Sequence, residues 1–330
     1  MPARPPLRIG LTLLAVAVLG SAVSAQEAAP ARPVRNDTAQ AGTELLVLRH
    51  QKLIKGGHES YFRLSSDGVW PWFEKIGSRI VGQWKVIHPD GPDEDPEFDD
   101  GYRLARYASY THWKATRQGH VLLGGDGPDY RRNRESLRAR SHFAAGSDGA
   151  LFLEGVTAAT RPYYMPALEE LYEPAESAAA SNARPVRNDV NWPAPEIVAL
   201  DRWRVTKGAA DTFIQSGVDQ VWPYLEKVGA RVVGQWKAVY PAESGFPESP
   251  DYDEVFLLVR FAGYEHWKAA RPERIAGMGG DGRDYEAYRS GLAALEAATQ
   301  SHSVTFLQGH MYQSPPKFLP GLRERYRTVE

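Results

Sequence analysis

Cysteine is absent from all 330 residues, which excludes disulfides, thiol nucleophiles, cysteine metal ligands and a lipidated cysteine. Neither sign of charge dominates: 39 Lys and Arg face 41 Asp and Glu, a formal net charge of −2. Without a basic excess there is no electrostatic case for nucleic acid. Beyond the first 25 residues no apolar run reaches the roughly 20 residues of a membrane span, so no membrane span is expected in the mature chain. Stability must come from packing. At 42% hydrophobic, with nine Trp, 16 Tyr and 11 Phe, the chain has the material for a substantial core.

The first 25 residues read as a signal peptide: Arg4 and Arg8, an apolar run from Ile9 to Gly20, and a small-residue end with Val23 and Ala25 where a signal peptidase reads. They point to an exported protein, periplasmic or secreted.

What the chain does have is a duplication. VWPWFEKIGSRIVGQWKVIHP (Val69 to Pro89) returns as VWPYLEKVGARVVGQWKAVYP (Val221 to Pro241), with 13 of 21 positions identical and Trp84 matching Trp236. YRLARYASYTHWKATR (102–117) matches FLLVRFAGYEHWKAAR (256–271), and GGDGPDY (124–130) matches GGDGRDY (279–285). ARPVRND occurs in both leaders, and Pro166, Leu168 and Tyr172 correspond to Pro320, Leu322 and Tyr326. A period of this length makes two domains, not a solenoid. The organisation expected is a signal peptide (1–25), a flexible leader (26–43), a first module (44–174), a linker (175–195) and a second module (196–330).

Within a module the periodicity switches in order. ELLVLRHQKL is a β-rich run ended by Lys55-Gly56, and 57–77 is helical, with Pro71 starting a second segment and Gly77 ending it. Strands at 79–88 and 102–109 follow, joined by the acidic loop DGPDEDPEFDD. A helix from Tyr110, interrupted at GGDG, runs to about His142, and ALFLEGV (150–156) is the last strand. The order βαββαβ defines an α+β ferredoxin-like unit with helices on one sheet face. The other face needs a cover. Two tandem modules supply it by packing face to face or closing into a barrel, an internal pseudo-dimer.

A first strand running into Lys55-Gly56, a helix ending at Gly77, then RIVGQW and YRLARYAS resemble the NIPSNAP family, within the dimeric α+β barrel superfamily. The second copy shows the same order through Lys207-Gly208, Gly229, RVVGQW and FLLVRFAG. The resemblance implies a barrel of paired ferredoxin-like units able to hold a small molecule. It implies no reaction, because NIPSNAP proteins are not established as enzymes.

Strand alternation sorts the candidate site residues. Val81, Gln83 and Lys85 are expected on one face and Ile80, Gly82 and Trp84 on the other, with Val233, Gln235 and Lys237 repeating the first set. Arg106 shares a face with Leu104 and Ala108, as Arg260 does with Leu258 and Ala262. Polar residues in central strands are costly to bury unless paired or wet. Gln83, Lys85, Arg106, Gln235, Lys237 and Arg260 therefore form a candidate polar patch inside the barrel, suited to a carboxylate or other anion; the bland alternative is pairing with acidic neighbours or across the sheets. Trp84 and Trp236 are candidate pocket walls or plain core.

His112 and His266 lack HxH or HExxH spacing and are expected to pack helices. His50, replaced by Arg202 in the second copy, is the better haem or metal candidate, but no cofactor or metal is expected. In GGDGxDY, Asp126 and Asp281 are expected as helix N-caps, with Asp129 and Asp284 near the positive helix end. No GxSxG elbow supports a serine hydrolase. The function expected is binding of a small polar or anionic molecule, or of a protein partner, in or beside the barrel. The alternatives are a cofactor-free monooxygenase or isomerase, and a structural or interaction protein with no pocket.

Overall fold

Each half opens with the predicted β-rich run, β1 (Leu45–Ile54) in the first and, as β6 (Ile197–Thr206), in the second. The computed structural model describes residues 44–91, 95–118, 125–157 and 196–311, all within one compact unit. The expected signal peptide, leaders, linker and module endings lie outside these residues. After β1 come α1 (His58–Leu64), a π-helical turn (Ser65–Val69), α2 (Trp70–Lys75), β2 (Arg79–Ile87), β3 (Phe98–Tyr107), α3 (Tyr110–Gln118), α4 (Pro128–Ser141), β4 (Ala144–Ser147) and β5 (Leu151–Thr157). The second half repeats the plan: α5 (Ala210–Ser216), a π turn (Gly217–Val221), α6 (Trp222–Lys227), β7 (Arg231–Val239), β8 (Tyr252–Phe261), α7 (Tyr264–Ala269), α8 (Ala276–Gly279), α9 (Arg283–Ala298) and β9 (Thr299–Met311).

Pro71 and Pro223 explain the π turns. A proline inside a helix offers no N–H and crowds the carbonyl four residues back, and here the backbone widens into a π turn just before each one. The predicted second helical segment thus begins at the proline without a break in the rod.

The strands close a ring in the order β1-β3-β2-β9-β6-β8-β7-β5, with β5 returning to β1 and β4 lying beside β1 outside the eight. Every neighbouring pair is antiparallel. The halves are joined reciprocally: the last strand of each pairs with its own first strand and with the other half's second, β5 with β7 and β9 with β2. A closed barrel leaves no sheet edge to protect. β3 is longer than the expected 102–109 strand. Phe98, Asp99 and Asp100, read as loop from their acidity, pair with Ile54, Leu53 and Lys52.

The core has three compartments. Leu46, Leu48, Val81, Trp84, Leu104 and Leu153 meet Val198, Leu200, Val233, Trp236, Phe256, Leu258 and Leu307 inside the barrel. One apolar layer lies between the sheet and the helices of the first half, and another under those of the second. Among the described residues no helix is long and apolar enough to cross a membrane.

A bulge decides which strand residues face inward. In β2 the register passes from Ile80↔Ala105 directly to Gly82↔Leu104, and in β7 from Val232↔Val259 to Gly234↔Leu258. The extra residues, Val81 and Val233, reset the alternation. Val81 and Trp84 therefore both enter the barrel, while Ile80 joins the helix-side core, correcting the face assignment made by counting in twos. Glycine is required beside the bulge because a Cβ on Gly234 would fall 2.2 Å from the Trp236 ring, and one on Gly82 2.4 Å from that of Trp84.

Candidate functional site

The eight candidate residues do not form one patch. Gln83, Lys85, Gln235 and Lys237 lie on the outer, helix-covered face, whereas Trp84, Trp236, Arg106 and Arg260 lie inside. Trp84 and Trp236 are buried and help fill the lumen. Lys85 is 3.3 Å from the buried Asp99, and Lys237 is hydrogen-bonded to Asp211 of α5 at 2.7 Å. Arg106 and Arg260 sit at the barrel end where β1 and β6 begin. Arg106 donates to Glu44 at 2.5 Å; Arg260 holds Glu196 through Nε at 2.8 Å and Nη2 at 2.6 Å. Pairing with carboxylates keeps these charges tolerable in the barrel wall.

The histidines of the HWK motif are structural. His112 and His266 are fully buried; their Nδ1 atoms accept from the backbone N–H of Ala108 and Ala262, and their Nε2 atoms bond the carbonyls of Ile76 and Val228. The N-cap expectation is corrected. α4 and α9 begin two residues after Asp126 and Asp281, with Gly127 and Gly282 as caps and no side-chain capping bond. Asp129 and Asp284 do lie in the first turns, tied to Lys75 and Lys227.

At the opposite barrel end is an open cavity of about 740 Å³. Its charges are already matched: His50 bonds Asp148 at 2.5 Å and Asp100 at 2.9 Å, and Arg202 pairs with Glu254. Both nitrogens of His50 are engaged with carboxylates, so this residue presents no open metal-binding position. Among the described residues no group of three His, Asp or Glu is placed to hold a metal ion.

A different chamber lies beside the barrel, between the sheet of the second half and its helices. It measures about 400 Å³ and is walled by Trp203, Trp222, Leu257, Val259, Phe261 and Trp267, among others. Its polar lining includes Asp201, His302, Gln235, Arg271 and Glu296. Asp201 accepts a hydrogen bond from His302 Nε2 at 2.8 Å, and the His302 ring stacks on Trp203, centroids 4.7 Å apart and planes 8° from parallel. Asp201 is 15% exposed and His302 38%. Burial pushes the Asp201 carboxyl above its ordinary 3.8, against the opposing hydrogen bond from His302. His302 Nδ1 makes no hydrogen bond to a described residue. Gln235 also reaches the chamber, its Oε1 accepting from Trp222 Nε1 at 3.2 Å.

Neither Asp201 nor His302 was singled out as a site residue from the sequence. A faint signal existed, since Asp201 is a lone acid within IVALDRW, a strand otherwise apolar up to that point. Its partner is 101 residues away, a distance no local pattern spans.

No protein-family model matches the chain, and no curated protein matches it. Among solved structures, it is similar to a protein of Lactobacillus acidophilus NCFM provisionally described as a monooxygenase, at 10% identity and TM-score 0.46, covering 81% of this chain and 94% of that one. An anthrone oxidase-like protein is similar at 11% identity and TM-score 0.38, over 82% and 92% of the two chains. A chlorite dismutase variant from Candidatus Nitrospira defluvii follows at 9% and 0.33, over 80% and 91%. Likenesses this distant assign no activity.

Proposed function

We propose that the protein binds a small, largely apolar ring compound in the chamber of the second half, with the Asp201–His302 pair at the ligand's polar end. One observation carries this reading: a cavity of about 400 Å³ walled by aromatic and aliphatic side chains holds a hydrogen-bonded acid and imidazole. Apolar pockets with few convergent polar groups are the usual form of small-molecule sites. The barrel lumen is filled by its own side chains, which favours a site beside the barrel over one within it.

The test is a fluorescence titration with 1-naphthol, whose ring would sit among Trp203, Trp222 and Trp267. Saturable quenching is expected, and Leu292→Trp, which enlarges a side chain of the chamber wall, is expected to weaken it at least tenfold. Quenching unchanged by that substitution would remove the chamber from the reading.

A second, enzymatic reading rests on the same pair. Asp201 holds one imidazole nitrogen and leaves Nδ1 of His302 open, the arrangement of an oriented general base. Proton abstraction from a bound carbon acid or phenol begins both isomerisation and cofactor-free oxygenation, the latter with dioxygen as co-reactant. Exchange of ligand C–H for deuterium, followed by NMR and lost in His302→Ala, would establish it.

The proposed setting is a NIPSNAP-like chain whose halves are tandem ferredoxin-like units fused into an internal pseudo-dimer, exported through residues 1–25. Binding of a partner protein, the other expected role, has no comparably defined surface to support it.

A further inference from the structure

The layer under the helices of the first half carries charged groups that its counterpart in the second half lacks. Arg49 of β1 lies directly across from Arg103 of β3, which lies directly across from Gln83 of β2, so a row of three polar side chains crosses the helix-facing side of the sheet. Arg117 of α3 donates from Nη2 to Tyr107 Oη at 2.9 Å, and Arg140 of α4 donates from Nη1 to Ser65 Oγ at 3.0 Å. Four arginines thus enclose one region, and none forms an ion pair with a carboxylate among the described residues.

Several polar atoms here have no partner among the described residues. Arg49 Nε and Arg103 Nε are buried without a hydrogen bond to any of them, and so are both ends of the Gln83 amide, in a residue only 1% exposed. Burial, deepened by Arg103 and Arg117, pushes both Arg49 and Arg140 down to about 10. For Tyr107 burial alone would act upward, but Arg117 and Arg103 bring the phenol below its ordinary value.

The fold does not need three of these cations. The second half builds the same layer with Asp201 for Arg49, Leu257 for Arg103 and Leu295 for Arg140, keeping only Arg271 for Arg117, and its Gln235 is satisfied by Trp222. Arg103 is buried, Arg49 and Arg140 are half-buried and Arg117 is exposed; cations held partly away from water with no carboxylate beside them among the described residues are unfavourable, and a bound anion would offset that.

We infer that the first half binds an oxyanion here: a phosphate, sulfate or carboxylate group, free or carried on a small molecule, held by Arg49, Arg103, Arg117 and Arg140 with Gln83 beside it. Guanidinium forks match such groups bidentately, and the neutral amide adds a donor and an acceptor for a neighbouring hydroxyl or protonated oxygen. This site shares no residue with the chamber of the second half, so either can fail alone.

The experiment is a thermal-melting titration of the full chain with inorganic phosphate, sulfate or succinate against chloride at matched ionic strength. The expected result is a saturable rise in Tm beyond that in chloride; a stronger response to phosphate and sulfate identifies a tetrahedral head group, one to succinate a carboxylate. Arg49→Gln and Arg103→Gln are each expected to weaken the apparent affinity at least tenfold and to melt higher than the parent in chloride alone, because an uncompensated charge is gone. Arg134→Gln, which removes an exposed arginine of the same helix as Arg140, is expected to respond like the parent. A parent chain indifferent to all three anions would overturn the inference without any variant. So would Arg49→Gln and Arg103→Gln proteins that keep the full response, or that melt lower in chloride as structural arginines would.

Discussion

The two halves share a backbone plan and differ in what they bury against it. Beneath the helices of the first lie Arg49, Arg103, Arg117, Arg140 and Tyr107; the second has Asp201, Leu257, Arg271, Leu295 and Phe261 at those places. Trp84 and Trp236, the bulges, the π turns and the Arg–Glu pairs at one barrel end are the same in both. What is common therefore serves the barrel. What differs lies in the helix–sheet spaces, where side chains can change without altering the ring of strands. Duplication has left one architecture with two unlike helix–sheet layers.

The sharpest way to break this contrast is to exchange the layers' chemistry. Leu257→Arg combined with Asp201→Asn places a cation in the second-half chamber with no carboxylate directly across the sheet from it, and should lower stability by about 3 to 5 kcal/mol in chemical denaturation. The reciprocal Arg103→Leu should raise it by about 1 to 3 kcal/mol in an anion-free buffer. Equal costs for both would show that the halves are not chemically distinct.

Next comes a substitution aimed at what the halves share. Gly82→Ala and Gly234→Ala each drive a Cβ into a buried indole and a backbone oxygen, that of His310 at 2.8 Å and of Val156 at 2.7 Å respectively. Each should cost about 3 kcal/mol, and a large disparity between the two would mean that the barrel relies on one half more than the other.

The smallest effect concerns Asp201. Its folded pKa is raised by burial, so folding favours the protonated acid, and that stabilisation is present below the ordinary value of 3.8 and lost as pH rises through the folded one. Asp201→Asn does not titrate. Its melting temperature should therefore gain on the parent's as pH rises from about 3 to 7. A gap independent of pH would place the carboxyl in water.

Much of the fold was legible because its signals are local. The Leu- and Val-rich run of β1, the proline that opens α2 and Gly77, whose φ of 93° ends the helix where other residues are strained, all act within a few residues. The bulge was not legible: Val81 looks like any strand valine, and its extra place appears only against the register of β3. Nor was β3 itself, since Asp99 and Asp100 read as loop until Lys55 and Lys85 are seen beside Asp99 and His50 beside Asp100. The candidate sites fared likewise. Gln83 was singled out, but assigned to the barrel interior, and the Asp201–His302 pair went unseen.

By itself the sequence determined that one pattern of apolar runs and turn residues occurs twice, because period, turn residues and repetition are properties of short stretches. It also determined that packing alone must hold the chain, since there is no cysteine. Only the tertiary structure decided that the ring closes through β5–β7 and β2–β9, and which face each polar residue takes. It alone separated an arginine-lined layer from an apolar one. The reason is physical: a side chain's charge state and partners depend on neighbours supplied by strands and helices far along the chain, and a single extra residue in β2 or β7 reverses which of them it meets.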